Sequence, residues 1–204
     1  MRPAALALVL YATFLIVAFG LRALVQYRRT GDHGLRGLAH GDPSEWMASG
    51  LLVSGVVLIG VSPIADLLGL VRSTEWSGGS WLQGIGFGLC VFGAALVVVS
   101  QYQMGNSWRV GLDPGETTAL MTGGLFAVVR NPIFTGVLLA TVGFFLMLPN
   151  VMSAAASLCI FLGLELQVRW IEEPYLTRIH GARYLSYARE VGRFAPGIGR
   201  IDRT

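Results

Sequence analysis

Charged side chains are scarce in this sequence, and lysine is absent. Only 13% of the 204 residues are charged, and all 15 basic residues are arginine. Because soluble domains carry about 25% charged residues, this deficit argues against a soluble globular protein. The formal net charge is only +3 and no basic patch is interleaved with aromatic residues, which argues against a nucleic-acid interface.

Metal-binding and nucleotide-binding patterns are also missing. Cys90 and Cys159 both lie in apolar stretches, which is typical of small buried residues rather than of a disulfide framework or a zinc site. His33 and His40 fall in a polar loop at no metal-ligand spacing. The glycines in residues 84–88 follow no strand and lack the spacing of the dinucleotide fingerprint. We therefore expect neither a metal nor a Rossmann-type cofactor site.

Apolar residues make up 53% of the chain and are gathered in long stretches. About 20 apolar residues cross a membrane as a helix. The fourth stretch is short for a full span, and Pro149-Asn150 predicts a tight turn after it, so the last two stretches should form an antiparallel hairpin. The sequence thus predicts an all-α integral membrane bundle of about five helices, with a C-terminal helical hairpin and a polar C-terminal segment. The predicted spans are 3–26, 46–70, 81–104, 133–148 and 151–170.

Several features refine these spans. A cleaved signal peptide would be shorter and would end in an Ala-x-Ala-like site, so the first stretch is expected to be a retained span. Pro63 is expected to kink the second helix. Asp66, near the end of that helix, is either a functional or an interfacial carboxylate. Gly84 and Gly88 have the spacing that permits close helix packing.

The arginines are distributed unevenly between the connecting segments. The positive-inside rule places arginine-rich segments in the cytoplasm, and five spans put the two termini on opposite sides. The C-terminal side would then collect Arg28, Arg29, Arg36, Arg109, Arg130, Arg178, Arg183, Arg189, Arg193, Arg200 and Arg203. We therefore expect a cytoplasmic C-terminus, in a compact chain of bacterial style placed in an inner membrane. Without internal repeats, residues 1–204 are treated as one domain, in which 1–80 form two spans without a motif and 81–204 form the motif-bearing core.

Polar groups open the fourth apolar stretch, at Arg130-Asn131-Pro132. The pattern predicts Asn131 as the N-cap and Pro132 as the first helical residue. Gly123-Gly124, just before it, would let the backbone approach a ligand closely. Free N–H groups at such a helix start favour a carboxylate.

Paired carboxylates, Glu172-Glu173, end the fifth stretch. Adjacent residues lie about 100° apart around a helix, so one can face a pocket while the other caps the helix or binds an arginine of the tail. Glu165 and Arg169, on the same face as Glu172, form either a structural or a functional ion pair. We expect the Glu pair and the helix start to meet at one membrane face. A ligand with a carboxylate and a nearby positive charge, such as S-adenosylmethionine, would fit between them.

Four segments, taken in order and at these spacings, resemble one enzyme family. They are Met104–Gly111, Gly123–Gly136, Glu172–Leu176 and His180–Tyr184. The family is that of the isoprenylcysteine carboxyl methyltransferases, which is itself similar to the phospholipid methyltransferases. The resemblance begins at the third span. It implies an S-adenosylmethionine-dependent membrane methyltransferase that acts on a lipophilic, isoprenylcysteine-like acceptor in a cytoplasmic pocket covered by the C-terminal segment.

The resemblance also implies which residues hold the cofactor. The family pattern is Arg-His-Pro-x-Tyr-x-Gly followed by Glu-Glu. Here Asn131 stands for the histidine and keeps a hydrogen-bonding group, whereas Phe134 stands for the tyrosine and loses its hydroxyl. The implied cofactor-binding residues are Gly124, Leu125, Phe126, Arg130, Asn131, Pro132, Phe134, Glu172, Glu173 and Tyr184.

Catalysis is assigned to the Trp108-Arg109 pair. Methyl transfer needs an in-line nucleophile, so positioning and desolvation should supply most of the acceleration. We expect Arg109 to hold an acidic acceptor and Trp108 to line its apolar approach. The alternative for this pair is an interfacial anchor.

Other functions fit the same chain. Within enzymes, the acceptor could be a phospholipid amine or a small thiol. A non-catalytic membrane scaffold would have no use for the charges of Arg130 and Glu172-Glu173. A transporter would need polar residues near mid-span in several helices, and the first three spans are nearly bare of them, so we reject it.

Overall fold

The computed structural model describes residues 2–33, 42–74, 80–105 and 119–201. Within these ranges every regular element is helical, apart from two isolated β-bridges. Two π-helical turns, Ile16–Leu21 and Gln167–Glu172, join α1 to α2 and α6 to α7, and a 3₁₀ turn, Gly124–Ala127, precedes α5. The helices are α1 (Pro3–Leu15), α2 (Arg22–Thr30), α3 (Pro43–Leu67), α4 (Ser80–Met104), α5 (Pro132–Met147), α6 (Val151–Leu166), α7 (Glu173–His180) and α8 (Ala182–Glu190).

Four helices are long and apolar enough to cross a membrane, and α5 is a shorter apolar helix of 16 residues. The prediction of an all-α bundle of about five membrane helices is therefore confirmed, including the short fourth arm. The last span differs from expectation, because it continues beyond Trp170 through the second π-turn as far as His180. Glu172 and Glu173 thus lie inside a continuous helix rather than at its end. The four long helices are Pro3–Thr30, Pro43–Leu67, Ser80–Met104 and Val151–His180.

The two arms of the predicted hairpin pack against different partners. The turn at Pro149-Asn150 reverses the chain between α5 and α6, but α5 packs chiefly on α4, and α6 chiefly on α3. A cluster of buried side chains joins α1, α3, α4, α5 and α6. The N-terminal spans therefore share a core with the helices that carry the motifs.

Glycines bring the backbones of α4 and α5 into direct contact. A Cβ atom on Gly86 would lie 2.5 Å from the carbonyl oxygen of Gly143, and one on Gly93 would lie 2.4 Å from that of Gly136. Since residues seven apart lie on one face of a helix, this face of α4 admits no side chain at either position.

The prediction that Gly84 and Gly88 serve this packing is wrong. Nothing lies within 4 Å of a Cβ atom placed on either glycine. The kind of contact was predicted correctly, but the helix uses the face of Gly86 instead. Glycines at every second position occupy several faces of a helix, so their spacing alone did not identify the packed one.

Polar side chains fasten the end of α3 to the α5–α6 turn. Asp66 accepts hydrogen bonds from the backbone N–H (3.0 Å) and hydroxyl (2.6 Å) of Ser73. Asn150 forms a capping box with Ser153 and accepts a hydrogen bond of 3.0 Å from Ser62. Asp66 therefore has a structural role at this end of the bundle. Helix α3 runs on through Pro63, which is buried.

Candidate functional site

The chain that leads into α5 pairs with the segment that follows α8, residues 191–201, here called the C-terminal segment. Val129 and Gly192 form a parallel β-bridge. The N–H of Arg130 donates to the carbonyl of Gly192 (2.8 Å), and that of Asn131 donates to the carbonyl of Arg193 (3.1 Å). The C-terminal segment therefore lies directly on the start of α5.

Arg130 is buried, with 6% of its surface exposed. Its Nη1 donates to the carbonyl oxygens of Ala188 (2.6 Å) and Val191 (3.2 Å). Its Nη2 donates to Glu173 Oε1 (2.7 Å) and to the carbonyl of Gly199 (2.9 Å). Both terminal nitrogens thus face protein acceptors, and the side chain ties α5 to α7, α8 and the C-terminal segment.

Glu173 also binds a second buried arginine. Arg193 donates from Nε to Glu173 Oε1 (2.8 Å) and from Nη2 to Oε2 (3.0 Å). The hydrogen bond to Glu173 raises the pKa of Arg193 above its usual value, so Arg193 keeps its charge in spite of burial. Arg130, Glu173 and Arg193 are called the arginine–glutamate cluster below. The expected meeting of the Arg130 stretch and the Glu pair is confirmed for Glu173.

Glu172 differs from its neighbour. It is half-buried at the end of the second π-turn. Glu165 and Arg169 form an ion pair with each other. Within the described ranges, Glu172 takes part in no ion pair. Of the two adjacent carboxylates, Glu172 is therefore the one whose charge no described cation balances.

Asn131 is the N-cap of α5 and Pro132 its first residue, as predicted, but the Asn131 side chain makes no capping hydrogen bond. Its amide Nδ2 is instead turned toward the carbonyl of Arg193, at 3.4 Å. The hydroxyl of Thr135 donates to the carbonyl of Phe194 (2.8 Å). The helix start is therefore held by the C-terminal segment rather than by its own cap.

The turn before α5 packs on the end of α4. Gly124 has a φ of +61°, and a Cβ atom there would lie 2.6 Å from Gln103 Oε1. That oxygen accepts the N–H of Leu125 (2.9 Å). The carbonyl of Phe126, a buried residue, accepts the Tyr187 hydroxyl (2.5 Å). The close approach at Gly124 is thus to Gln103.

Two tyrosines of α8 lie beside this turn. Tyr184 is buried and meets Tyr187 edge-on, with ring centroids 6.4 Å apart. Desolvation raises the pKa of Tyr184, and it raises that of Tyr187 to about 12, so both hydroxyls are protonated at neutral pH. Phe134, by contrast, packs against the hydrophobic core.

An open groove of about 570 Å³ runs between this turn and α8. Hydroxyl groups and one charge of each sign line it, next to Phe126 and Tyr184. Its lining residues are Thr122, Ala127, Arg183, Ser186, Tyr187, Glu190 and Val191. Such a lining can hydrogen-bond a polar ligand from several sides.

Trp108 and Arg109, predicted as catalytic, lie outside the described residues. Several contacts of the site were not predicted from the sequence. Nothing in the sequence distinguishes Arg193 from the other arginines of the tail. Gln103 was predicted only to end the third span. A polar glutamine at the end of an apolar helix could have indicated the hydrogen bond that it makes to the next segment. Tyr187, in the same helix as the predicted Tyr184, follows it by three residues, which is one helical turn.

Comparisons with known proteins match the chain in sequence and in fold. Residues 81–183 match the family model described as phospholipid methyltransferase. The Arabidopsis thaliana protein-S-isoprenylcysteine O-methyltransferases A and B are each 27% identical over 120 residues, which cover 58% of this chain and 61% of each relative. A solved structure of the eukaryotic intramembrane Ras methyltransferase, an isoprenylcysteine carboxyl methyltransferase, has a TM-score of 0.64 at 20% identity, covering 95% of this chain and 66% of that one. The chain thus spans less than two thirds of the length of these relatives. The similarity to the solved structure is a similarity of fold.

Proposed function

The chain belongs to the phospholipid methyltransferase family, and from this membership we propose that it is an S-adenosylmethionine-dependent methyltransferase of the membrane. The observation that carries the proposal is the contrast within the Glu pair. Glu173 is neutralised by Arg130 and Arg193, whereas Glu172 has no ion pair among the described residues. A half-buried carboxylate of this kind suits a ligand with a positive charge.

The donor set fits S-adenosylmethionine. Its sulfonium and ammonium groups are cationic and match Glu172. The N–H groups of Arg130 and Asn131 already donate to the C-terminal segment, so they are not assigned to the carboxylate of the cofactor. When bound, this cofactor supplies an electrophilic methyl group. We propose Gly124, Leu125, Phe126 and Tyr184 as further contacts of the cofactor. The predicted cofactor contacts at the helix start remain Arg130, Asn131, Pro132 and Phe134. The terminal nitrogens of Arg130 already face protein acceptors.

The residues of this chain then act mainly by positioning. The C-terminal segment covers the start of α5 and keeps water from it, which favours transfer to an ionised acceptor. A carboxylate acceptor needs no general base at neutral pH. We propose that Arg109 holds that acceptor while Trp108 lines its apolar path.

The acceptor proposed first is an isoprenylcysteine-like carboxylate, because the similar Arabidopsis proteins are named for that substrate. The family model, named for phospholipids, favours a phospholipid amine as the second candidate. Incubation with methyl-labelled cofactor, with farnesylcysteine and with phosphatidylethanolamine in parallel, separates the two by which lipid becomes labelled.

Glu172→Gln should weaken the binding of S-adenosylmethionine by about tenfold or more, because hydrogen bonds to charged groups contribute about 1.5–3 kcal/mol. Calorimetry on the detergent-purified protein measures this, together with S-adenosylhomocysteine. Because S-adenosylhomocysteine lacks the sulfonium charge, the Glu172→Gln substitution should weaken its binding less than that of S-adenosylmethionine.

Glu165→Gln is the matched control, since Glu165 lies on the same helix and pairs with the exposed Arg169. It should leave the affinity unchanged. Folded wild-type protein that binds neither compound would overturn the proposed function and favour a scaffold role.

A further inference from the structure

The arginine–glutamate cluster comes from three distant parts of the chain. Arg130 precedes α5, Glu173 begins α7, and Arg193 belongs to the C-terminal segment. The side chains of Arg130 and Glu173 are only 2% and 12% exposed, and that of Arg193 is 10% exposed. Arg193 matters to Glu173 because it binds both carboxylate oxygens, whereas Arg130 binds only Oε1.

The cluster fixes the carboxylate of Glu173, whereas the side chain of the adjacent Glu172 is hydrogen-bonded to that of Gln167. Neighbouring residues on a helix point about 100° apart. With both oxygens of Glu173 bound to guanidinium groups, the helix is held at Glu173, and this sets the direction in which the Cα–Cβ bond of Glu172 leaves the helix.

A π-turn, Gln167–Glu172, lies immediately before Glu173, and its geometry can change unless the helix is held at its end. A π-turn carries one more residue per hydrogen-bonded loop than an α-turn and is the rarer geometry. Relaxation of Gln167–Glu172 toward α-helix would rotate Glu172 relative to α6. The hydrogen bonds of Glu173 hold the helix at the end of this turn and so oppose that rotation.

We propose that Arg193 is a positioning residue that, through Glu173, aims Glu172 at the cationic part of the cofactor. The inference rests on the proposed function. Arg193 touches neither cofactor nor acceptor in this role; its two hydrogen bonds orient Glu173, and the orientation of Glu173 sets that of its neighbour. The same bonds keep the C-terminal segment on the start of α5.

A double-mutant cycle between Arg193 and Glu172 tests the proposal. Arg193→Gln should weaken the affinity for S-adenosylmethionine by about tenfold in the presence of Glu172, and by less than about twofold when Glu172 is already glutamine. Such non-additivity is the signature of two residues that act as one unit. A merely structural loss would lower the affinity by the same factor in both backgrounds, and that result would overturn the proposal.

Two further variants keep the test decisive. Arg189→Gln removes an exposed arginine of α8 and should leave the affinity unchanged. Arg193→Lys retains one hydrogen bond to Glu173 and should restore part of the affinity; if Arg193→Gln does not fold, the cycle is run with lysine. No rescue by lysine in a folded protein would count against an electrostatic role.

Hydrogen exchange separates this proposal from the proposed function. Without any ligand, Arg193→Gln should speed exchange in residues 167–176 and 191–201 together, and leave α3 unchanged. Wild-type protein that binds no cofactor would overturn the function and the aiming of Glu172 with it. Cofactor binding with additive losses would overturn only the role of Arg193.

Discussion

Gly124 shows how a single residue sets the packing of the turn before α5 on the end of α4. Its φ of +61° lies in the left-handed region, which costs a residue with a Cβ atom about 1–2 kcal/mol. Gly124→Ala would also push Gln103 away from the N–H of Leu125. We expect a lower thermal midpoint and weaker cofactor binding, measured by thermal unfolding and calorimetry on one preparation.

Gly123→Ala is the control for that prediction. Gly123 has a φ of −100°, and no atom lies within 4 Å of a Cβ atom placed there. It should change neither quantity. Equal effects of the two alanines would refute the argument from backbone geometry.

For single residues, the sequence predicted which segments meet but not which side chain makes each contact. The Arg130 stretch and the Glu pair were expected to meet, and Arg130 and Glu173 do so at 2.7 Å. Sequence could not decide which of Glu172 and Glu173 pairs with Arg130, because that depends on the π-turn before them. The sequence also predicted that the Asn131 side chain caps α5, but the helix start is held by the backbone of the C-terminal segment.

Among the elements, the α4–α5 pair packs most intimately. Gly86→Ala or Gly93→Ala would place a methyl group against backbone atoms of α5, at 2.5 or 2.4 Å. Backbone cannot yield as a flexible side chain can, so we expect a loss of about 1–3 kcal/mol in the free energy of unfolding. Thermal unfolding in detergent, followed by circular dichroism, measures it.

Gly84→Ala and Gly88→Ala are matched controls on the same helix, since space is open at both. Each should be neutral or slightly stabilising, because alanine favours a helix by about 1 kcal/mol over glycine. Destabilisation at all four positions would indicate that lipid contact matters more than the α4–α5 contact.

The elements themselves were largely predictable. Long apolar stretches and the Pro149-Asn150 turn sufficed for the membrane helices and their order, but α7 and α8, in the polar tail, were not predicted. Packing faces were not predictable, since Gly84, Gly86 and Gly88 look alike in sequence and only the partner helix distinguishes them. The continuation of the last span to His180 was missed because its polar residues look like a solvated tail.

For the whole molecule, the arginine distribution predicts a cytoplasmic C-terminus. The test replaces Cys90 and Cys159 by serine and introduces one cysteine at Arg189 or at Leu70, both exposed and at opposite ends of the bundle. In intact cells, an impermeant maleimide should label Leu70→Cys, and Arg189→Cys only after permeabilisation. The reverse pattern would invert the orientation.

The length of α5 has a consequence for the bilayer around the pocket. Sixteen residues rise about 24 Å, roughly 6 Å less than a hydrocarbon core of about 30 Å. The Asn150 capping box and its bond to Ser62, which lies five residues before the end of α3, fix the far end of this hairpin beside the last turns of α3. Lipids meet such hydrophobic mismatch by thinning locally. We expect the headgroup plane to dip toward the ends of α5, and the proposed acceptor, with its tail among the acyl chains, would then present its polar end near the start of α5 without leaving the membrane.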